Sequence, residues 1–298
     1  MKILRILFCI VFVVILLLLL IPHSNTRFSG RKIASRHPFP VADYSPDELI
    51  SFAVLATCVH KWSAKWETAV AKVGMKLVPG LEGLEGLEGL RCTERCTYHP
   101  DTGLKVLCFE SLDASTRVLT FGAVNAIHEI IGKEQSPNLW NSVVYNLVGG
   151  IPLVYEQAAQ FVQHYRKQHQ NTKRLVLVGH SLGGSLASYA GMMTNVHVVA
   201  FNSLPLGAGI QQQLGARRLE DAGRWVTHVC VENDFFAENA LANKVDEVLS
   251  HMDIRTPGNW GRRVLIPAAK AYSSRREIHN YFLSSLLEFY GLPHRLLP

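Results

Sequence analysis

The chain has 298 residues, 48% apolar and 18% charged, with a formal charge of +6 and a sequence pI near 9.0. That composition excludes a disordered chain and suffices for one α/β domain with a large buried core. Lys and Arg are scattered, and no basic stretch is interleaved with aromatics, so nucleic-acid binding is not indicated; the positive sign suits an anionic membrane surface, and is also common in soluble proteins.

The first element is an apolar run. Ile6 to Ile21 is uninterrupted hydrocarbon apart from Cys9, and it ends at Pro22. With Ile3 and Leu4 it reaches about 19 residues, against the ~20 needed to cross a bilayer core. Ile21-Pro22-His23-Ser24-Asn25 offers no small-residue cleavage site, so residues 1–22 read as a retained single-pass membrane anchor rather than a cleaved signal. Its orientation stays open. Arg27, Arg31, Lys32 and Arg36 behind the span favour a cytoplasmic body, while Lys2 and Arg5 in front favour the opposite side.

Residues 23–44 are polar and basic, with Pro38 and Pro40, and read as a juxtamembrane linker; the remaining 45–298 read as one domain. Ser45-Pro46-Asp47-Glu48 opens a helix. Serine caps the first turn, proline suits the first helical position and Glu48 completes a capping box. That helix is expected to run past Trp62. A Gly-Leu-Glu triplet repeat over 80–90 reads as a low-complexity loop, because four glycines without proline cannot sustain a triple helix.

Of the six cysteines, Cys9 falls in the apolar run, and Cys108 and Cys230 fall in expected strands. Cys92 and Cys96 lie near His99, but no second ligand pair at zinc spacing accompanies them, so no metal site is expected. A disulfide among Cys58, Cys92 and Cys96 stays open.

The rest alternates strand with helix. Strands are expected over Leu104–Phe109, Arg117–Phe121, Leu175–Val178, Val196–Phe201 and Val226–Val231. Helices are expected over Leu153–Gln168, from Leu182 to about Met192, and from Ile278 to Tyr290. This rhythm implies an α/β fold with a mainly parallel sheet flanked by helices. The apolar connection from Ile130 to Pro152, with Leu139, Trp140, Val143 and Tyr145, reads equally as a lid or acyl-chain groove and as a core helix.

Leu175-Val176-Leu177-Val178-Gly179-His180-Ser181-Leu182-Gly183-Gly184 carries the chemistry. A serine hydroxyl is a weak nucleophile and must be lifted clear of the backbone towards a base. A sharp strand-to-helix turn does this. Gly179 and Gly183 let such a turn close, and the Leu182 N–H behind the serine can hold a developing oxyanion.

From Arg117 to Tyr281 the chain resembles the class 3 lipases, the fungal lipase-like α/β-hydrolases. Gly179-His180-Ser181-Leu182-Gly183-Gly184 is the most specific part of the likeness. Gly150 to Val162 is similar to the helix before the nucleophile strand, and Val198 to Asn202 to the strand after it. The resemblance implies an α/β-hydrolase fold, hydrolysis of lipid acyl esters and a Ser-Asp-His triad without cofactor. Asp234, just beyond Val226–Val231, fits the acid by position and pattern, with Asp246 and Asp253 as rivals. Ile278-His279-Asn280-Tyr281 resembles the family's final His and Tyr, so His279 is the expected base, with His251 and His294 as rivals.

One departure stands out. Where the family has an Arg-Gly-Thr-like turn, this chain has Phe121-Gly122-Ala123-Val124, so the first oxyanion donor is expected from Ala123 or Val124 without an assisting hydroxyl. The leading functional expectation is a membrane-anchored lipase or phospholipase. A thioesterase or small-ester esterase on the same fold is the nearest alternative. A non-catalytic, membrane-tethered binding protein is a third, resting only on the altered turn.

Overall fold

The computed structural model describes residues 44–59, 64–78, 91–92, 96–99, 102–123, 150–234, 259–268 and 275–293. The apolar run at 1–22, nearly all of the linker, the Gly-Leu-Glu repeat and the 130–149 connection lie outside them. Among the described residues no helix is long and apolar enough to cross a membrane.

Among the described residues, nine strands build one sheet: β1 (Met75–Leu77), β2 (Arg91–Cys92), β3 (Thr97–Tyr98), β4 (Leu104–Ser111), β5 (Thr116–Ala123), β6 (Arg174–His180), β7 (His197–Phe201), β8 (Val226–Val231) and β9 (Arg262–Ile266). From β2 to β9 they lie side by side in chain order, and β1 pairs with the far end of β4. The pairs from β5 to β9 are parallel, as the strand–helix rhythm implies, whereas β1 to β4 add an antiparallel wing. The wing strands β1 to β3 and the edge strand β9 escape a hydropathy reading. They are short or half-exposed, so their side chains carry little apolar alternation.

Both faces of the sheet are covered, and the strand period of two assigns each residue to a face. Leu119, Phe121, Leu177, Val198 and Ala200 pack on one face with helices α3 (Leu153–Gln168), α4 (Leu182–Thr194) and α5 (Ala208–Glu220). Val118, Val176, Val178, Val199 and Phe201 pack on the other with α1 (Pro46–Cys58), α2 (Ala64–Lys72) and α8 (Phe282–Phe289). Two short helices, α6 (Ala222–Trp225) and α7 (Arg275–Asn280), also lie among the described residues.

Ser45 and Glu48 form the expected capping box at the start of α1, with the Ser45 hydroxyl accepting from the Glu48 N–H at 3.2 Å. The helix is shorter than expected. It ends at Cys58, and a second helix begins at Ala64, because the chain must redirect to lay Trp66, Ala69 and Val70 into the core beside β1. Cys58 is a buried free thiol whose Sγ donates to the Leu55 carbonyl at 3.1 Å, so it takes no part in a disulfide. The C-terminal helix is likewise two helices, with a break at Tyr281.

The reversal between β6 and α4 occurs at Ser181, with φ 57° and ψ −124°. For a residue other than glycine this conformation costs on the order of 1–3 kcal/mol and persists only where its surroundings over-determine it. They do so here. The Ser181 N–H donates to the Phe201 carbonyl at 3.1 Å, and its own carbonyl accepts from Ser185 at 3.2 Å and Leu204 at 3.2 Å. A Cβ on Gly179 would strike the Gly183 carbonyl, and one on Gly183 would strike the Phe121 carbonyl. The turn is therefore closed by backbone packed on backbone, across to the end of β5.

Two consequences for stability follow from the sheet interior. Gly183→Ala drives a methyl into a backbone oxygen that cannot swing aside, and overpacking of this kind costs about 1–3 kcal/mol or more; the expected result is a lower denaturant midpoint, and an unchanged midpoint would contradict the contact. His228, buried in β8, donates from Nε2 to the Trp260 carbonyl at 3.0 Å and accepts the Ser203 hydroxyl at Nδ1 at 2.8 Å. Burial, with Arg263 nearby, pulls its pKa down from 6.5 to about 4. The unfolded chain thus takes up a proton below pH 6.5 that the folded chain refuses until about pH 4. This residue's contribution is fully present above pH 6.5, and roughly 2–3 kcal/mol should be lost between pH 7 and pH 4.5. Urea unfolding at the two pH values should show a smaller acid loss in His228→Gln than in wild type.

Candidate active site

The C-terminal ends of the parallel strands carry the expected residues. Ser181 follows β6 and is half-buried, while Leu182 to Gly191 behind it are all buried. Serine at the start of a helix ordinarily caps it through its side chain. Ser181 makes no such bond to α4, so its hydroxyl is not consumed by the helix. Leu182 is the first residue of α4, where main-chain N–H groups lack helical partners and the helix dipole favours negative charge.

Asp234 lies three residues beyond the end of β8, after Asn233 in a left-handed conformation with φ 65°. Its N–H donates to the Val231 carbonyl at 3.1 Å, which folds the loop tightly against the strand end. The carboxylate is fully buried. His279 lies on α7 and meets it: His279 Nδ1 is 2.8 Å from Asp234 Oδ2. The pair joins residues 45 apart in sequence. An imidazole that donates from Nδ1 to a carboxylate presents Nε2 as its proton acceptor.

The pair lies beside the serine turn. The His279 ring sits 4.6 Å from the ring of His180, the residue before Ser181. His180 is also stacked on Phe282 at 4.6 Å, and Phe282 on Phe201 at 5.1 Å, so an aromatic column ties the C-terminal helices to the ends of β6 and β7. Ala123 is the last residue of β5, the strand next to β6, in register with Leu104 of β4. Val124, Asp246, Asp253, His251 and His294 lie outside the described residues.

Asn202 has a place at the site that composition and motif reading did not single out. It directly follows β7, is fully buried and has φ 40°. Its Oδ1 accepts from the Val231 N–H at 2.8 Å, and its Nδ2 lies 3.4 Å from the His279 carbonyl and 3.5 Å from that of Ile278. The available signal was slight: one amide immediately after the apolar run Val198–Phe201.

The phospholipase-like family described as the Tle-like phospholipase domain matches residues 73–236, a stretch that contains Ser181 and Asp234 and ends before His279. No curated protein matches the chain. Among solved structures, lipase II from Rhizopus niveus is similar at 14% identity and a TM-score of 0.45, covering 79% of this chain and 88% of its own. The Rhizomucor miehei lipase in its propeptide complex is similar at 11% identity and a TM-score of 0.43, covering 82% of each chain. A lipase from Yarrowia lipolytica is similar at 9% identity and a TM-score of 0.44, covering 82% of this chain and 90% of its own. With just over half of its length matched, the chain belongs to the phospholipase-like family described as the Tle-like phospholipase domain.

Proposed function

We propose that this protein is a membrane-anchored serine hydrolase that cleaves carboxylic esters of lipids, with Ser181 as nucleophile, His279 as base and Asp234 as the orienting acid. The observation that carries the reading is the 2.8 Å contact between Asp234 and His279, with the imidazole packed beside the strained turn that presents Ser181. The order Ser, Asp, His along the chain is that of the α/β-hydrolases.

In this mechanism His279 Nε2 takes the proton of the Ser181 hydroxyl as Oγ attacks the acyl carbonyl. Asp234 holds the imidazole in the tautomer this requires and stabilises its charged form. The oxyanion of the tetrahedral intermediate is held by the Leu182 N–H at the start of α4, with an N–H at Ala123 as second donor. Collapse expels the alcohol, which receives its proton from His279, and water then cleaves the acyl-enzyme by the same steps. The phospholipase-like family supports a lipid ester as substrate. The apolar run at 1–22 supports an enzyme held beside that substrate.

Ser181→Ala is expected to abolish fluorophosphonate labelling and to lower ester hydrolysis by about 10³- to 10⁶-fold. His279→Ala should lower the maximal rate comparably, while His251→Ala and His294→Ala should change it little. Residual turnover above roughly a few per cent in pure Ser181→Ala protein would remove the serine from its role. Turnover of phospholipid and triacylglycerol vesicles by wild type, compared side by side, identifies the ester class.

The anchor has its own test. Full-length protein should stay with membranes through an alkaline carbonate wash and keep its N-terminus. A soluble product beginning near residue 25 would show the apolar run to be a cleaved signal.

A further inference from the structure

A helix leaves its last carbonyls without partners further along the chain. α7 ends at Asn280, and Tyr281, at φ −102° and ψ 26°, departs from helical geometry before α8 begins. The carbonyl of His279 lies in this last turn, and two side chains from separate strand ends approach it. His180 donates to it from Nε2 at 2.9 Å, and Asn202 Nδ2 lies 3.4 Å away.

These two residues are otherwise anchored. His180 is buried between Gly179 and Ser181 within the nucleophile turn, and its ring is stacked on Phe282 with an interplanar angle of 15°. Asn202 also accepts from the Val231 N–H at 2.8 Å, and its own N–H donates to the Val229 carbonyl at 3.0 Å. One carbonyl thus joins the serine turn, the strand that leads to Asp234 and the helix that carries His279.

The Asp234 bond holds only one edge of the imidazole. Where Nε2 points still depends on the backbone of α7, a helix of six residues. We propose that His180 and Asn202 are positioning residues: by clamping the His279 carbonyl they fix the backbone of the base and hold its imidazole in line with Ser181. The proposal rests on the triad assigned under Proposed function. It makes the serine turn and the base move together, because the residue adjoining the nucleophile is itself bonded to the base's main chain.

The test uses full-length protein in detergent, with p-nitrophenyl butyrate as substrate and a fluorophosphonate as the probe of serine reactivity. His180→Phe retains an aromatic ring against Phe282 and removes the donor. It should lower kcat about 10- to 100-fold, the scale of a small misplacement of a reacting group, with KM little changed and labelling slowed in parallel. His180→Gln returns an N–H donor and should recover most of that rate. Asn202→Asp keeps the side-chain shape, turns the donor towards the carbonyl into an acceptor, and should also lower kcat rather than raise KM. Circular dichroism and thermal midpoints establish folding; if Asn202→Asp fails to fold, the two His180 variants decide alone.

Folded His180→Phe with wild-type kcat overturns the clamp. Equal losses in His180→Phe and His180→Gln, or losses confined to KM, overturn it as well. If wild-type protein is not labelled at Ser181, the triad itself fails and the clamp fails with it. Labelled wild type with unaffected variants overturns the clamp alone.

Discussion

Everything at this site hangs on the backbone reversal between β6 and α4. A parallel strand must give way to a helix within one residue, and that residue must be a serine in a conformation that suits glycine better. Three main-chain hydrogen bonds, reaching Phe201, Leu204 and Ser185, hold Ser181 there. The glycines on either side are required for a different reason: carbonyl oxygens of Gly183 and Phe121 occupy the space where their side chains would be. Because the turn packs directly on β5, the strand that ends at Ala123 is located by the same contact. The local cost of the turn, on the order of 1–3 kcal/mol, is small against the burial of β6 and α4, which are covered almost throughout.

The polar groups around this turn are buried, and the bonds among them tie neighbouring strands to one another and to α7. Asn202 joins β7 to β8 and to α7, while His228 joins β8 to Ser203 beyond β7 and to Trp260 before β9. A buried amide or imidazole left unpaired costs roughly 1–3 kcal/mol, so these bonds fix the ends of neighbouring strands relative to one another. Fixing strand ends is also what an active site at the top of a parallel sheet requires. The same groups therefore serve the stability of the sheet and the geometry of the site.

The family match spans the turn and Asp234 but stops before His279. His279 reaches the site by a separate route, on a helix pair anchored through Phe282 to Phe201 and His180. In the proposed mechanism the nucleophile and the acid thus sit at the ends of sheet strands, and the base is docked beside them on α7. The carbonyl bonded to His180 is where the two parts are stitched together.

The strand–helix rhythm, the strand–turn–helix context of Ser181 and the capping box at Ser45 were legible in the sequence, because each is a local pattern whose period or spacing is set by backbone geometry. The parallel core β5 to β8 was legible for the same reason: strands buried on both faces are written as apolar runs. The antiparallel wing, the edge strand β9 and the breaks at Cys58 and Tyr281 were not, since short or half-exposed segments carry weak periodicity and a helix can end wherever its neighbours demand. The meeting of Asp234 with His279, and the approach of His180 and Asn202 to one carbonyl, belong to the tertiary structure alone. Those contacts join residues between 45 and 99 positions apart, and only the stacking order of the strands and the docking of the last two helices bring them within hydrogen-bond range.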